Sequence, residues 1–514
     1  MDQLSEDQKT ELHEVADLML EIYQTLAKMR YIDASEIIQG PHDLTETLSR
    51  YDDGETILGL DPAIKYLYTI LPYVRKTGHF CNSEFFGRST FANFTDREDI
   101  AQMRKPWAAR TESISEQMEE GRWIRPFVTA LALFGDDDEG TMIIYDTRSH
   151  QIWLLKVDGW VCNDLALEGV ETLGWDVPTT TFGGLKHRFD YFPSRPAGDV
   201  LRDIVKWYRE LKVLPGGGEN DDNDWTHYAN DLNLKELYRK HGWPDNFDGD
   251  AFEVDLVRSY AAHCAKEAAQ EPLRDLEMWE QYIPRVETRL LEQQKAVGKA
   301  TNKEDEWLAR FNVWMSMREL NSANNNYRSA KEKAERLCPN GVCQKDEDLP
   351  LWEVEFVRRD LKQKQDEISS QEGYLRNALE GDLRFEDDAR TELFYAKKKE
   401  TICQRAFKQA QADAERLCPG KTFQSATGVD PDWPFSKNPY AYGEADVSTK
   451  KQLESAQEWM STVPSDVVKA KEKMESEIFK LEDILEIREE VRSRQEKGLD
   501  WKDLFQFSKR RRLR

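Results

Sequence analysis

Long apolar runs are missing from this chain. Nowhere do about 18 apolar residues follow one another, the length a membrane-spanning helix needs, so no membrane span is expected. The opening residues, MDQLSEDQKTEL, hold no apolar core of the kind a secretory leader requires. Cysteine is scarce, 7 in 514 residues, an odd number without regular spacing. That excludes a disulfide scaffold and predicts reduced thiols in a cytoplasmic or nuclear protein. Positive charge is in deficit: the net charge is −25. A broad nucleic-acid-coating surface is excluded, because phosphate binding needs local positive charge. Catalytic signatures are also absent. There is no G-x-x-x-x-G-K-[ST], no G-x-G-x-x-G and no G-x-S-x-G. The carboxylate-rich FGDDDEG and ENDDND do not match a calcium loop and read as solvated turns. No histidine follows His263, and His13-Glu14-Val15-Ala16-Asp17 lacks the second His of a zinc helix. Neither a metal nor a cofactor is expected.

What is present is enough to bury a core: 39% hydrophobic residues, with 15 Trp, 18 Tyr and 22 Phe. The length implies more than one domain. Over 6–30, Leu12, Val15, Met19, Ile22, Leu26 and Met29 recur at helical spacing. Asp61-Pro62 is an N-cap followed by Pro at the first helical position. From about 79 to 193 the pattern changes. WIRPFVTALALFG, DDDEG and TMIIYDTRSHQIWLLKVDGW read as strand, turn, strand, turn, strand, with 146–150 at a hairpin tip. SRPAGDVLRDIVKWYRELKVL returns to helix, and PGGGENDDNDW is a solvated linker. Helical patterns fill the rest. The expected fold class is an α+β N-terminal domain, a mixed or antiparallel sheet with flanking helices, followed by an all-α antiparallel helical bundle. The expected segments are 1–213, a linker at 214–225, a helical connector at 226–300, a bundle at 301–508 and a basic tail at 509–514.

The hexapeptide AERLCP occurs at 334–339 and again at 414–419. Stepping back from each by threes and fours reaches Leu337, Ala334, Ala330, Tyr327, Ala323, Leu320, Ser316 and Val313 in the first copy. The second copy gives Leu417, Ala414, Ala410, Phe407, Cys403, Glu400, Ala396 and Leu393. These are heptad seams whose alanines permit close helix approach. A third seam runs through Val357, Leu361, Ile368, Leu375 and Ala378. A fourth runs through Met474, Ile478, Leu481, Leu485 and Val491. Pro339 and Pro419 stop their helices, since proline has no N–H to donate. A zinc site would need Cys338, Cys343, Cys403 and Cys418 to converge, and Cys403 sits within a seam. The cysteines therefore read as packing.

Most tryptophans fall on patterned elements, as Trp153, Trp160, Trp207 and Trp352 do, and read as core. Trp107, Trp123 and Trp175 lie in irregular stretches and are the candidate partner-binding residues. Lys509, Arg510, Arg511, Arg512 and Arg514 form a basic terminus that matches a nuclear-import signal, which makes a nuclear factor one alternative. An enzyme is the other alternative, with a site assembled from His79, Asp146, His150 and His187 around the sheet. No catalytic residue is assigned.

Leu71-Pro72, Phe85-Phe86-Gly87, Tyr145-Asp146 and Trp207-Tyr208, in this order along helix, Phe/Gly-rich segment, hairpin and closing helix, give residues 61–213 a likeness to a known family. The region resembles the SUKH superfamily, which includes the fungal Smi/Knr cell-wall-synthesis regulators and bacterial toxin-immunity proteins. The resemblance implies a small α+β module that binds other proteins rather than doing chemistry. It also implies a role in cell-wall synthesis or stress signalling in a fungus-like cell. The expected function is a non-enzymatic protein-binding scaffold with protein partners, no membrane and no nucleic acid.

Overall fold

The computed structural model describes residues 4–45, 47, 60–75, 84–104, 124–133, 140–156, 161–170, 188–215, 232–338, 341, 348–380, 386–423 and 443–496. Two compact units divide the chain. One combines residues 1–263 with 357–410, the other 264–356 with 411–514. The N-terminal region is α+β with a small antiparallel sheet, and the C-terminal region is helical.

In the first unit, α1 (Glu6–Lys28) starts at a capping box. The Ser5 hydroxyl accepts from the Gln8 amide at 3.1 Å while the Gln8 side chain accepts from the Ser5 amide at 3.3 Å, satisfying two otherwise orphaned donors. Its whole apolar stripe, Leu12 to Met29, is buried. It packs on α2 (Pro62–Ile70), which the Asp61 carboxylate caps by accepting from the Ala63 amide at 3.0 Å. A short α3 (Arg97–Arg104) follows. On its other side α1 packs against α4 (Ala197–Arg209).

A two-residue ladder joins β1 (Ile37–Ile38) to β2 (Tyr73–Val74). The main sheet runs β3 (Val128–Ala130), β4 (Thr141–Asp146), β5 (Gln151–Lys156), β6 (Val161–Cys162), all antiparallel, with β7 (Arg195–Pro196) also paired to β5. The two-residue period divides the central hairpin between two cores. Ile143, Tyr145, Ile152 and Leu154 join the core of α1, α2 and α4. Met142, Ile144, Trp153 and Leu155 meet Phe189 and Phe192 on the opposite face.

The first core does not end with the sheet. Beyond residue 231, α5 (Leu234–Lys240) and the start of α6 (Gly249–Val297) add Leu234, Leu237, Tyr238, Trp243 and Phe252 to it. The Tyr238 hydroxyl donates to the Met29 carbonyl at 3.0 Å, and the Trp243 indole to the Tyr208 carbonyl at 3.2 Å. Within this unit the parts of α8 (Leu349–Glu380) from residue 357 and of α9 (Glu386–Leu417) up to residue 410 run antiparallel. The Cys403 thiol donates to Asp360 at 3.2 Å, Gln365 to Glu400 at 3.2 Å, and Lys397 pairs with Glu372 at 3.0 Å.

In the second unit α6 lies antiparallel to α7 (Lys303–Leu337), with Lys333 on Glu271 at 3.0 Å and Arg289 on Glu319. The hairpin of α10 (Gly443–Thr462) and α11 (Val468–Glu496) closes over α7, burying Phe311, Ala456, Met474 and Leu481 together. Arg318 meets the nearly buried Glu477 at 2.7 Å. Among the described residues no helix is long and apolar enough to cross a membrane.

The seams of α7 and α9 are buried over much of their length, and those of α8 and α11 in part. Ser316, Ala323, Ala330, Ala334 and Leu337 are buried on α7, as are Ala396, Cys403, Ala410 and Ala414 on α9. Val357 on α8, and Met474 and Leu481 on α11, are buried as well. Leu417 departs from its seam and stands 54% exposed. The reason lies in the helix end: Cys418, just past it, takes the buried place against Leu351 and Ala414. The expectation that every cysteine is a thiol is corrected at Cys338, which is disulfide-bonded to a residue outside the described ones. Cys338 is the C-cap of α7, with non-helical backbone, so its sulfur can reach beyond the helix. Cys418 in the second copy is a buried thiol outside any disulfide, and the two repeats differ chemically. Cys403 is also outside any disulfide, and burial together with Asp360 pushes its thiol pKa up, away from reactivity.

Candidate functional site

The residues singled out for partner binding, Trp107, Trp123 and Trp175, lie outside the described residues, as do Lys509, Arg510, Arg511, Arg512 and Arg514 of the basic tail. Of the alternative catalytic set, His79 and His187 lie outside them too. Asp146 and His150 are described, and both serve the hairpin. An Asp146 carboxylate oxygen accepts from the Arg148 amide at 2.8 Å and the Ser149 amide at 3.2 Å, closing the turn. His150 takes the left-handed backbone (φ 51) that turns the chain into β5.

The His150 ring then clamps the hairpin to the helices. Its Nδ1 lies 2.9 Å from the Tyr145 hydroxyl and its Nε2 3.2 Å from Glu14 on α1. The other Glu14 oxygen accepts from Arg202 of α4 at 2.7 Å. Arg202 is the main reason the Glu14 carboxyl sits below its usual range, against an opposing effect of burial and with help from His150. Burial raises the Tyr145 phenol, and Glu11, Asp146 and Glu14 add to it. Tyr145, His150, Glu14 and Arg202 satisfy one another, so the set behaves as a cross-link of three elements. Among the described residues no three His, Cys, Asp or Glu side chains are grouped to hold a metal ion.

A different place has the character of a binding site. Asp33 caps the short turn 34–36, accepting from the Ser35 amide at 2.9 Å and the Ser35 hydroxyl at 2.7 Å. Lys398 of α9 donates to its second oxygen at 2.8 Å. Burial alone would raise the Asp33 carboxyl, but Lys398 and Ser35 outweigh it and hold the pKa at about 2. This tie seats α9 beside the turn. Ser35, Glu36 and Arg75 on one side, with Arg390, Thr391, Phe394 and Tyr395 of α9 on the other, enclose a pocket of about 260 Å³. The Tyr395 hydroxyl reaches Ser35 at 3.5 Å. Phe394, at the same pocket, is 59% exposed.

Sequence reasoning passed over this pocket, although α9 carried a sign of it. Phe394 sits one step off the Leu393–Ala396 seam, so helical periodicity alone turns it away from the α8 partner. Single exposed apolar side chains are ordinary, and what sets Phe394 apart is its place in the lining of the pocket. Comparison with family models, with curated proteins and with solved structures finds no match for this chain.

Proposed function

We propose that the protein is a non-enzymatic scaffold that binds other proteins, with a SUKH-like module over about 61–213 and helices that add further binding surface. The observation that carries this reading is Phe394, a large aromatic ring held out at the rim of a preformed pocket on a rigid helix. Exposed apolar residues of this size mark protein contacts when they flank a concave site. Tyr374 and Leu379 of the antiparallel α8 are also exposed. Support for the SUKH-like part comes from Leu71, Phe85, Phe86, Tyr145, Trp207 and Tyr208, which share one core. The enzyme alternative loses two members to structural duty, since Asp146 and His150 hold the hairpin. The proposed cellular role follows the resemblance: regulation of cell-wall synthesis or stress signalling, in the cytoplasm or nucleus.

The test is affinity purification of the full-length protein beside Phe394→Asp and Tyr374→Ala variants. The expected result is loss of a defined set of co-purifying proteins from Phe394→Asp, with no change in thermal melting. An unchanged set in both variants would remove the basis of the reading.

A further inference from the structure

A second concavity also borders the 30–39 segment, between α1 and the residues leading into α6. Leu20, Ala27, Ile37 and Phe247 form its half-buried floor, and Gln24, Lys28, Arg30 and Gln39 its exposed rim. It encloses about 470 Å³, room for a ligand fragment with a large side chain.

The rim is built with care at two positions. The Lys28 ammonium donates to the Pro244 carbonyl at 2.6 Å and lies 5.6 Å from the centre of the Trp243 ring. These contacts fix the charge without neutralising it, and among the described residues no carboxylate pairs with Lys28. On a chain of net charge −25, a positioned cation lacking a counter-ion at the edge of an apolar floor is a place for an anion. Arg30 has the opposite role. It adopts the left-handed backbone (φ 63) that usually falls to glycine just after a helix, and its amide donates to the Ala27 carbonyl at 3.0 Å. Its side chain crosses Gly249 to pair with Asp250 at 2.7 Å. With its charge already met, Arg30 is a wall of the groove, and Lys28 is the recognition group.

The remaining rim residues define the rest of the ligand. Gln24 and Gln39 each carry a primary amide, a donor and an acceptor together, the complement of a peptide bond. Ile37 and Gln39 stand two apart on an extended stretch and share a face. β1 is paired by β2 alone among the described residues.

We propose that this groove binds an extended peptide segment of a partner protein, with a Leu, Ile or Phe side chain on the floor and an Asp or Glu carboxylate on Lys28. The proposal rests on the protein-binding reading above and adds the chemistry of the bound segment.

The experiment uses the full-length protein and fluorescein-labelled nonapeptides on a Gly-Ser framework. Each peptide holds one Leu or Phe and one Asp at varied spacing, beside matched peptides with Asn or Lys in place of Asp. Decanoate is a separate arm. At least one Asp peptide is expected to bind about tenfold more tightly than its Asn counterpart, the scale of a partly desolvated charge pair. Lys28→Gln should abolish that difference, and Lys28→Glu should reverse it in favour of the Lys peptide. Ala34→Trp, which fills the groove from an exposed position, should eliminate binding, while Leu417→Ala, which lines neither pocket, should leave it intact. Thermal melts confirm that the variants fold. Absence of binding across the panel, equal binding of Asp and Asn peptides, or binding of decanoate without any peptide would each overturn the proposal. If the panel is silent while Phe394→Asp still loses its cellular partners, the groove inference fails and the scaffold reading stands.

Discussion

Asp33 is the residue on which the pocket depends, because it fixes the turn through Ser35 and α9 through Lys398. Its depressed pKa converts into stability with a definite sign. The charged form is favoured by folding, so the contribution is complete above the ordinary carboxyl value of 3.8 and is lost as the pH falls towards about 2. Lys398 is 35% exposed, and screening there limits the effect to on the order of 1–2 kcal/mol. Asp33→Asn is therefore expected to be less stable by that amount in urea unfolding at pH 7, with the gap narrowing below pH 4. A gap that stays constant down to pH 2.5 would rule out this account. The sharper case is Asp164, whose side chain is only 3% exposed and holds Arg195 at 2.8 and 3.0 Å. Removing it leaves the guanidinium with Asp203 alone, at 2.9 Å. Asp164→Ala should cost about 3 kcal/mol or more, measured by the same unfolding curves. Neither Asp33 nor Asp164 stood out in the sequence. Their partners lie far along the chain, and a carboxylate in a loop carries no mark of which cation it will meet.

Helices and their seams were far more legible, because periodicity is local. The stripe of α1, the cap and proline of α2 and the hairpin around 146–150 follow directly from residue spacing. The alanine seams of α7 and α9 are also legible, since only small residues let two long helices approach closely. That closeness makes Ala410→Leu an overpacking change, expected to cost about 1–3 kcal/mol. Leu417→Ala, on the same helix but with its side chain in water, should shift stability by less than about 0.5 kcal/mol. Thermal melts of the two variants separate these outcomes, and equal effects would contradict the burial difference. Periodicity misjudged Leu417 because it extends a seam smoothly to the last residue, whereas a helix end turns its backbone and hands the buried place to the next side chain. It was equally blind to the disulfide at Cys338, since covalent pairing depends on distance in space.

For the whole molecule, the alternation of composition marked an α+β region and a helical region. It did not reveal that Leu234, Leu237, Tyr238, Trp243 and Phe252, beyond a Gly- and Asp-rich stretch, complete the first core. Their helical spacing resembles that of any other segment, and only the buried bonds to Met29 and Tyr208 disclose the connection. A fragment ending at residue 215 would expose the surface these five side chains cover. Burying a large apolar side chain is worth about 1.5–3 kcal/mol, so their joint loss approaches the stability of an ordinary domain. Such a fragment is expected to lack a cooperative thermal transition that a fragment ending at residue 263 retains. Equivalent melting of the two would show that the core closes without them.

Gly249 leaves open the space that the Arg30 guanidinium crosses. A single methyl group there would collide with it, so the arginine side chain would have to shift. One missing carbon thus lets a wall of the groove stand where it does, and Gly249→Ala would reshape the cleft through the displaced Arg30.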